Sequence, residues 1–169
     1  RESRGDVSDG LAYMQWYLDN AEKYLAPEVT LDGNTEVHTA YREPYGVVAV
    51  IAPWNYPASN FVWGCIQNLI AGNTVVFKHS EEVPLCGQLI ERMMHEAAIP
   101  ENVFNEIYGR GPVGALLVRQ DIDLVCFTGS TDVGLSLYRT AAQNMKKINL
   151  ELGGSAPGIV FDDADLEIT

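Results

Sequence analysis

Residues 46–78, GVVAVIAPWNYPASNFVWGCIQNLIAGNTVVFK, carry the clearest fold signal in the chain. The two ends of this stretch, 46–51 and 74–78, are continuous apolar runs rich in β-branched residues, which is typical of strands buried on both faces. Between them, 61–71 has the length and composition of a helix, and Gly72-Asn73 follows as a helix-closing signal. Two buried strands joined by a helix predict a parallel β-α-β unit.

The alternation of strand and helix continues along the chain. Further strands are predicted at 103–107, 124–127 and 147–150, and further helices at 84–97, 112–119 and 131–143. The expected fold class is therefore α/β, a Rossmann-like parallel sheet with helices on both faces. Because such a sheet binds its ligand at the carboxyl ends of the strands, the residues that follow each strand are the candidate functional residues.

A helix and a hairpin are predicted before this unit. Asp6-Val7-Ser8-Asp9 has the composition of a helix cap. One apolar helical face follows it, formed by Leu11, Met14, Leu18, Ala21 and Leu25. From 28 to 45, apolar and polar residues alternate around Asp32-Gly33-Asn34, which predicts a β-hairpin arm. We therefore expect one domain built from 1–27 and 46–169, with 28–45 projecting as the arm.

Composition excludes several classes of partner. Eleven basic and 23 acidic residues give a net charge of −12, which argues against nucleic acid or an anionic membrane. The three cysteines, Cys65, Cys86 and Cys126, are far apart in apolar runs. We expect buried, reduced thiols, with neither a disulfide nor a metal site. No signal peptide and no apolar run of about 18 residues is recognisable, so a cytoplasmic protein is expected.

The first candidate motif is Pro53-Trp54-Asn55-Tyr56-Pro57, directly after the first strand of the unit. Two prolines and two aromatic residues make a stiff turn around a small amide. A rigidly held Asn55 side chain could donate a hydrogen bond to an oxyanion. The alternative is that Asn55 only caps the next helix.

The second motif is Lys78-His79-Ser80-Glu81, at the end of the next strand. Lys78 and Glu81, three residues apart, could grip the hydroxyl groups of a ribose. The alternative is a solvated loop and helix start, in which these side chains have no ligand. His79 is expected at the surface.

The third and fourth motifs follow the last two strands. Residues 127–134, FTGSTDVG, join a strand to a helix through glycine and hydroxyl residues, as a pyrophosphate site requires. Thr131 replaces the middle glycine of the G-x-G-x-x-G pattern, so the match to that pattern is weak. In Glu151-Leu152-Gly153-Gly154, a partly buried Glu151 could act as a general base, or it could be structural.

Together, in this order, the four motifs resemble those of the aldehyde dehydrogenase superfamily along nearly the whole chain. The resemblance implies that Asn55 is the oxyanion donor and Glu151 the general base. It also implies NAD or NADP as cofactor, with Trp54 and the backbone near Ile51 lining the nicotinamide. Residues 28–45 match the family's oligomerisation arm, so a homo-oligomer is expected.

The resemblance assigns the remaining cofactor contacts residue by residue. Lys78 and Glu81 are expected to hold the adenosine ribose, Gly111 to lie near the adenine and Ser130 to bind the pyrophosphate. Further cofactor-binding candidates in the third and fourth motifs are Phe127, Gly129, Val133 and Leu152. Lys78 with Ser80 could accept the 2′-phosphate of NADP, whereas Glu81 would repel it, so both cofactors stay open.

In the family, a cysteine thiolate attacks the aldehyde, and the resulting oxyanion is held by the asparagine. That nucleophile follows the Glu-Leu-Gly-Gly motif, and no cysteine follows Glu151 here. The catalytic domain is also expected to be absent, and Asp162 to Asp165 look like a helix start just before Thr169. We therefore expect a piece of an active enzyme, completed by the rest of its gene or by a partner chain. The alternative is a non-catalytic nucleotide-binding or assembly remnant.

Several details resemble the succinate-semialdehyde dehydrogenase group within the superfamily. They are Trp16-Tyr17, Asn20-Ala21-Glu22, Lys78-His79 followed by Val83-Pro84 and Cys86, and Ser155. The expected reaction is oxidation of an aldehyde, with succinate semialdehyde as the proposed substrate.

Overall fold

The structure, a computed structural model, describes residues 2–165 and contains seven strands in that range. They are β1 (Glu28–Asp32), β2 (Val37–Ala40), β3 (Val47–Ile51), β4 (Thr74–Lys78), β5 (Phe104–Glu106), β6 (Leu124–Gly129) and β7 (Lys147–Leu152). β3 to β7 form one five-stranded sheet in the order β5-β4-β3-β6-β7. All its pairs are parallel, which confirms the predicted sheet.

The strand order reverses direction at the centre of the sheet. From β3 the chain passes outward through β4 to β5, and then returns to the other side of β3 as β6 and β7. The carboxyl ends of β3 and β6 therefore flank the topological switch point, where open α/β sheets bind their ligands. Ile51 is opposite Phe127 at this point, and Thr128 is opposite Glu151.

Six helices lie in the described range, and all but the first cover the two faces of the sheet. They are α1 (Glu2–Leu25), α2 (Pro57–Phe61), α3 (Gln67–Ile70), α4 (Pro84–Glu96), α5 (Gly111–Arg119) and α6 (Thr131–Ala142). A π-helical turn, Val62–Ile66, joins α2 to α3. One core contains residues of α2, α4 and the π-helical turn, and the other contains residues of α5 and α6.

Alternate residues of the central strand face these two cores. Val48 and Val50 face the first core, while Ala49 and Ile51 face the second. A strand buried on both faces needs apolar residues throughout, which explains the continuous apolar run in the sequence. Helices on both faces confirm the predicted layering.

The N-terminal helix differs from the prediction in its start and in its buried face. It begins at Glu2, so Asp6 to Asp9 lie inside it and do not cap it. Leu11 and Leu18 are each 60% exposed, whereas Asp6 and Gly10 are buried. A Cβ at Gly10 would lie 3.5 Å from Val62 Cγ2, so this face meets the sheet-covering helices at close range.

The predicted hairpin is present as the antiparallel pair β1 and β2. These strands form a sheet of their own, and their side chains are largely exposed. Near the other end of the described range, 162–164 form a turn, and the rest of the helix predicted there extends beyond the described residues. Within residues 2–165, no helix has the length and apolarity needed to span a membrane.

Candidate functional site

A cleft opens at the carboxyl edge of the sheet, at the switch point between β3 and β6. It has a volume of about 420 Å³, and three candidate residues, Ile51, Phe127 and Glu151, line it. Trp63, from the π-helical turn, lines the same cleft. Glu151 lies within β7, because that strand continues two residues past its predicted end, and it is exposed. The sheet thus brings the proposed nicotinamide side and the proposed base to one place.

The turn that carries Asn55 is fixed by a residue from the N-terminal helix. The side chain of Asp6 accepts hydrogen bonds from the backbone N–H groups of Ala58 and Ser59, at 3.0 and 2.9 Å. In return, Ser59 Oγ donates to the Asp6 carbonyl oxygen at 3.2 Å. Asp6 is only 7% exposed, so these bonds are shielded from water. Asp6 therefore caps α2 from 52 residues away in sequence.

Asn55 does not cap the helix that follows it. The cap residue of α2 is Tyr56, whose side chain makes no capping hydrogen bond, and Asp6 satisfies the helix N–H groups instead. The Asn55 side chain is exposed and has no hydrogen-bond partner among residues 2–165. Its amide N–H group is therefore available to an oxygen atom of a ligand. Trp54 is 60% exposed beside it.

The second motif is built around a buried cation. Lys78 is 3% exposed, and its Nζ atom donates to the carbonyl oxygen of His79 at 3.0 Å and to Glu81 Oε2 at 3.4 Å. The alternative that Lys78 belongs to a solvated loop is therefore wrong, because its side chain is buried and hydrogen-bonded. The pKa of Glu81 is lowered, first by its own backbone hydrogen bond and also by Lys78 and Arg110. Ser80, which is half-buried, lies between the two charged residues.

The third motif starts α6 with a side-chain cap. Ser130 is the N-cap residue, and its Oγ atom accepts from the N–H group of Val133 at 3.5 Å. Gly134, one turn later, lets α6 approach β7, because a Cβ there would lie 2.5 Å from Leu152 Cδ2. Gly129 closes β6, and Gly111 starts α5 with open space around it.

His79 is buried, so the expectation of a surface histidine was wrong. It is 4% exposed, and its Nδ1 atom forms a hydrogen bond with the carboxyl group of Glu106, whose side chain is completely buried. The Tyr108 ring meets the imidazole edge-on, with the ring centroids 4.9 Å apart. The polar residues around His79 in the sequence do not indicate that its partner is Glu106, which lies 27 positions away.

The three cysteines are free thiols, but two of them are less buried than expected. Cys65 is fully buried, whereas Cys86 and Cys126 are half-buried. Burial raises the pKa of Cys65 well above its ordinary value and also raises the pKa of Cys126. Because the thiolate is the nucleophilic form, these two thiols are poor nucleophiles.

The sequence profile described as "Aldehyde dehydrogenase family" matches residues 1–169. The chain belongs to the aldehyde dehydrogenase family. It is 41% identical to the betaine aldehyde dehydrogenase of Bacillus subtilis over 169 residues, which are 99% of this chain and 34% of that protein. The chain therefore spans about a third of the length of this curated relative.

Solved structures of aldehyde dehydrogenases share its fold. A succinic semialdehyde dehydrogenase from Streptococcus pyogenes in complex with NADP⁺ superposes with a TM-score of 0.88 at 28% identity, covering 98% of this chain and 36% of its own. A betaine aldehyde dehydrogenase from Staphylococcus aureus in complex with NAD⁺ superposes with a TM-score of 0.91 at 36% identity. The match covers 99% of this chain and 34% of that protein. The cleft and the Lys78 loop of this aldehyde dehydrogenase chain thus lie on a fold that it shares with one relative in complex with NADP⁺ and one in complex with NAD⁺.

Two residues of this aldehyde dehydrogenase chain were missed by the sequence reasoning. Asp6 was interpreted as the cap of its own helix, and Glu106 was placed in a strand with no role. An acidic residue at position 6 could have suggested a capping partner, but nothing local identifies α2 as that partner. Glu106 carried one usable signal, a carboxylate within a short strand whose other residues, apart from Asn105, are apolar.

Proposed function

We propose that this chain supplies the cofactor-binding part of an enzyme that oxidises an aldehyde to a carboxylate, with NAD(P)⁺ as the hydride acceptor. One observation carries the proposal: Ile51, Phe127 and Glu151 line one cleft at the topological switch point of an aldehyde dehydrogenase domain. In this proposal Asn55 donates a hydrogen bond to the substrate oxyanion, and Glu151 accepts a proton from the attacking water.

The buried Lys78 fits the ribose of a dinucleotide. A charged ammonium group is costly to bury unless its donors are paired. Lys78 has three N–H donors, and among the described residues two are used, one by His79 and one by Glu81. The third donor and the carboxylate of Glu81 together offer one donor and one acceptor, which is what a pair of ribose hydroxyl groups requires. Ser130 and the first turn of α6 are proposed to face the pyrophosphate.

The choice between NAD⁺ and NADP⁺ is predicted to depend on Glu81. Replacing Glu81 by alanine removes a carboxylate that accepts from a ribose hydroxyl and repels a 2′-phosphate. We expect NAD⁺ to bind more weakly and NADP⁺ more tightly, so that the ratio of their dissociation constants changes by about tenfold or more. Calorimetric titration of each dinucleotide against the chain measures both constants.

Glu82→Ala is the matched control, since Glu82 is the exposed neighbour of Glu81 and its side chain has no bond in the described residues. This variant should keep the wild-type ratio. An unchanged NADP⁺ affinity in Glu81→Ala would contradict the repulsion argument.

Two substrate classes are proposed. The sequence details point to succinate semialdehyde, whose carboxylate needs a basic partner. A groove of about 690 Å³ lies beside the Asn55 turn, with Tyr13, Trp16, Tyr56, Trp63 and Asp9 in its lining. No Lys or Arg lines this groove among the described residues, so a carboxylate would need a partner from outside them. The aromatic lining favours the second candidate, an uncharged aromatic aldehyde.

Comparing two aldehydes tests the reaction and its substrate together. The enzyme that carries this chain should reduce NAD(P)⁺ with benzaldehyde or with succinate semialdehyde. We expect kcat/KM to be at least about tenfold higher for benzaldehyde, because the groove offers an aromatic surface to its ring and, among the described residues, no basic partner to a carboxylate. Absorbance of NAD(P)H follows both reactions, and no turnover with either class of aldehyde would contradict the proposed function.

Residues 1–169 by themselves are the control for the nucleophile. Burial raises the pKa of Cys65 and Cys126, and none of the three cysteines follows the Glu151 motif as the family's nucleophile does, so we expect no aldehyde-dependent NAD(P)H production from this chain. Robust production by the purified chain would show that one of its own cysteines is the nucleophile. It would overturn the proposal that the rest of the gene, or a partner chain, supplies that residue.

The arm of residues 28–45 is proposed to join copies of the protein into a homo-oligomer. It carries exposed apolar side chains, with Val29 58% and Val37 60% exposed, on a two-stranded sheet separate from the main one. A two-stranded sheet is marginally stable without a surface to pack against. Association through this arm would provide that surface.

A further inference from the structure

A buried pair of titratable side chains lies directly behind the proposed ribose site. Glu106, at the end of β5, and His79, just after β4, share a hydrogen bond between Oε1 and Nδ1. The side chain of Glu106 is 0% exposed and that of His79 is 5% exposed. The other carboxyl oxygen, Oε2, is buried and has no hydrogen-bond partner among the described residues.

Helix α4 packs directly against the His79–Glu106 pair, so the pair has no room to move toward this helix. A Cβ at Gly87 in α4 would overlap both the imidazole of His79 and the carboxyl group of Glu106. Phe77 and Tyr108 flank the imidazole, with ring centroids at 6.3 and 4.9 Å. The pair is thus enclosed by a glycine of α4 and two aromatic rings.

The enclosure favours an uncharged pair that holds a proton. Burial raises the pKa of Glu106 to about 7, and Glu91 adds to the effect. Burial also lowers the pKa of His79, and Lys78 lowers it further, although Glu81 and Glu91 act in the opposite direction. Below about pH 7 these effects favour the proton on the carboxyl group of Glu106 and a neutral imidazole. An unpartnered oxygen costs less in a neutral carboxyl group than in a carboxylate, which agrees with this assignment.

Charged and titratable groups act on the pair from every side. They are Lys78 of β4, Glu81 of the following loop, Glu91 of α4, Tyr108 after β5 and the Cys65 thiol of the π-helical turn. Glu91 also accepts a hydrogen bond from Tyr108 Oη at 2.8 Å. Burial and this bond keep the pKa of Tyr108 above its ordinary value, and burial and Glu106 do so for Cys65. Glu106 is therefore the group expected to titrate near neutral pH.

The pair is connected to the ribose site through the backbone of His79. The carbonyl oxygen of His79 accepts from Lys78 Nζ, and Lys78 in turn binds Glu81. Holding the imidazole of His79 therefore holds the carbonyl group that orients the ammonium group of Lys78. When Glu106 loses its proton, its carboxylate is a buried charge whose Oε2 atom has no hydrogen-bond partner among the described residues. Movement of the carboxylate toward water would stabilise this charge. The imidazole would follow, and the added negative charge also opposes an anionic dinucleotide.

We propose that Glu106 is a positioning residue for the cofactor: through His79 it orients Lys78, and the affinity for NAD⁺ falls when the pair releases its proton. This proposal rests on the proposed cofactor site at Lys78 and Glu81. On release, the carboxyl proton of Glu106 passes along the hydrogen bond to Nδ1 of His79 and the Nε2 proton leaves to solvent, so the imidazole stays neutral and its Nδ1–H group donates to the carboxylate.

Titration of NAD⁺ across pH tests the proposal, since NAD⁺ has no 2′-phosphate that would itself ionise in this range. We expect the dissociation constant to rise about three- to tenfold between about pH 6 and about pH 8.5. Glu106→Gln keeps the shape of the protonated side chain but cannot ionise. It should retain the tighter, acid-side affinity at all pH values, while Glu101→Gln, at an exposed turn position, should keep the wild-type profile.

Three results would overturn the proposal. The NAD⁺ affinity of the wild type could be independent of pH, the affinity of Glu106→Gln could depend on pH as steeply as that of the wild type, or Glu106→Gln could lose the same factor of affinity at every pH. Failure of the wild-type chain to bind NAD⁺ at any pH would overturn the proposed cofactor function as well. Binding without the predicted profile would leave that function standing and remove only this inference.

Nuclear magnetic resonance of the histidines gives a second reading that needs no variant of the pair. The chain has three histidines, and His38 and His95 are exposed, so His38→Gln and His95→Gln identify the His79 signals. We expect these signals to shift near pH 7, with Glu106, and to stay those of a neutral imidazole through the range in which an ordinary histidine takes up its proton, because burial and Lys78 lower the pKa of His79. Protonation of His79 near the ordinary histidine pKa would contradict the proposal even if Glu106→Gln fails to fold.

Discussion

The enzyme that carries Asn55→Ala is expected to lose about 10²- to 10³-fold in kcat, while its affinity for NAD⁺ stays within about twofold of the wild type. The reason is the free amide of Asn55, which is exposed at the carboxyl edge of β3 and has no hydrogen-bond partner among residues 2–165. An oxyanion develops during the reaction and not in the resting substrate, so loss of its donor lowers kcat more than it raises KM.

The measurement compares kcat, KM and the dissociation constant of NAD⁺ in the two enzymes. Asn55→Asp is a second informative variant, because it keeps the shape of the side chain but replaces the N–H donor with a negatively charged acceptor. It should be at least as inactive as Asn55→Ala. Asn144→Ala is the matched control, at an exposed position after α6, and should retain full activity. Normal kcat in Asn55→Ala would remove Asn55 from the proposed mechanism.

The sheet could be predicted from sequence because burial on both faces leaves a direct trace. Val75 and Val125 have no exposed surface, and each lies in an apolar run that was interpreted as a strand. The ends of strands were less predictable. β6 and β7 continue two residues beyond their predicted ends, because Thr128 pairs with Glu151 and Gly129 with Leu152. Backbone pairing does not need apolar side chains. The prediction ended each strand at an apolar residue followed by a polar one, which is two residues before the pairing ends.

The residues behind the site could not be predicted, because their partners are distant in sequence. The search for an apolar helical face selected Leu11 and Leu18, but the buried side of α1 includes Asp6 and Gly10. A glycine contributes no hydrophobic signal, yet Gly10 lets α1 approach α2 and the π-helical turn closely. Similarly, His79 looked like a surface residue because its partner, Glu106, belongs to the neighbouring strand. Motifs at strand ends locate such a site, whereas the contacts that support it depend on the folded chain.

Asp6→Ala is expected to have the second large effect, on stability and on the turn that carries Asn55. Two backbone N–H groups at the start of α2, those of Ala58 and Ser59, would lose their carboxylate acceptor. Because bonds to a charged group are worth about 1.5–3 kcal/mol each, we expect the free energy of unfolding to fall by about 2–4 kcal/mol. Urea denaturation of the chain, followed by circular dichroism, measures this loss.

Asp19→Ala is the control for this change. Asp19 belongs to the same helix but is exposed, and within residues 2–165 it accepts only from Gln15, so its removal should cost less than about 0.5 kcal/mol. A loss of similar size in both variants would mean that Asp6 contributes only to the propensity of α1.

The second effect of Asp6 concerns catalysis, and it separates a positioning role from a structural one. Pro57 and Tyr56 link the start of α2 to Asn55 within two residues, so a displaced helix start moves the amide. A displacement of the oxyanion donor by about 1 Å can lower the rate about 10²-fold. Folded Asp6→Ala enzyme, assayed well below its melting temperature, should therefore have a reduced kcat and an unchanged NAD⁺ affinity. Asp6→Asn, which keeps one acceptor oxygen, should recover part of both losses. If kcat is normal in the folded Asp6→Ala enzyme, the Pro-x-x-x-Pro turn is rigid enough by itself, and Asp6 only stabilises the fold.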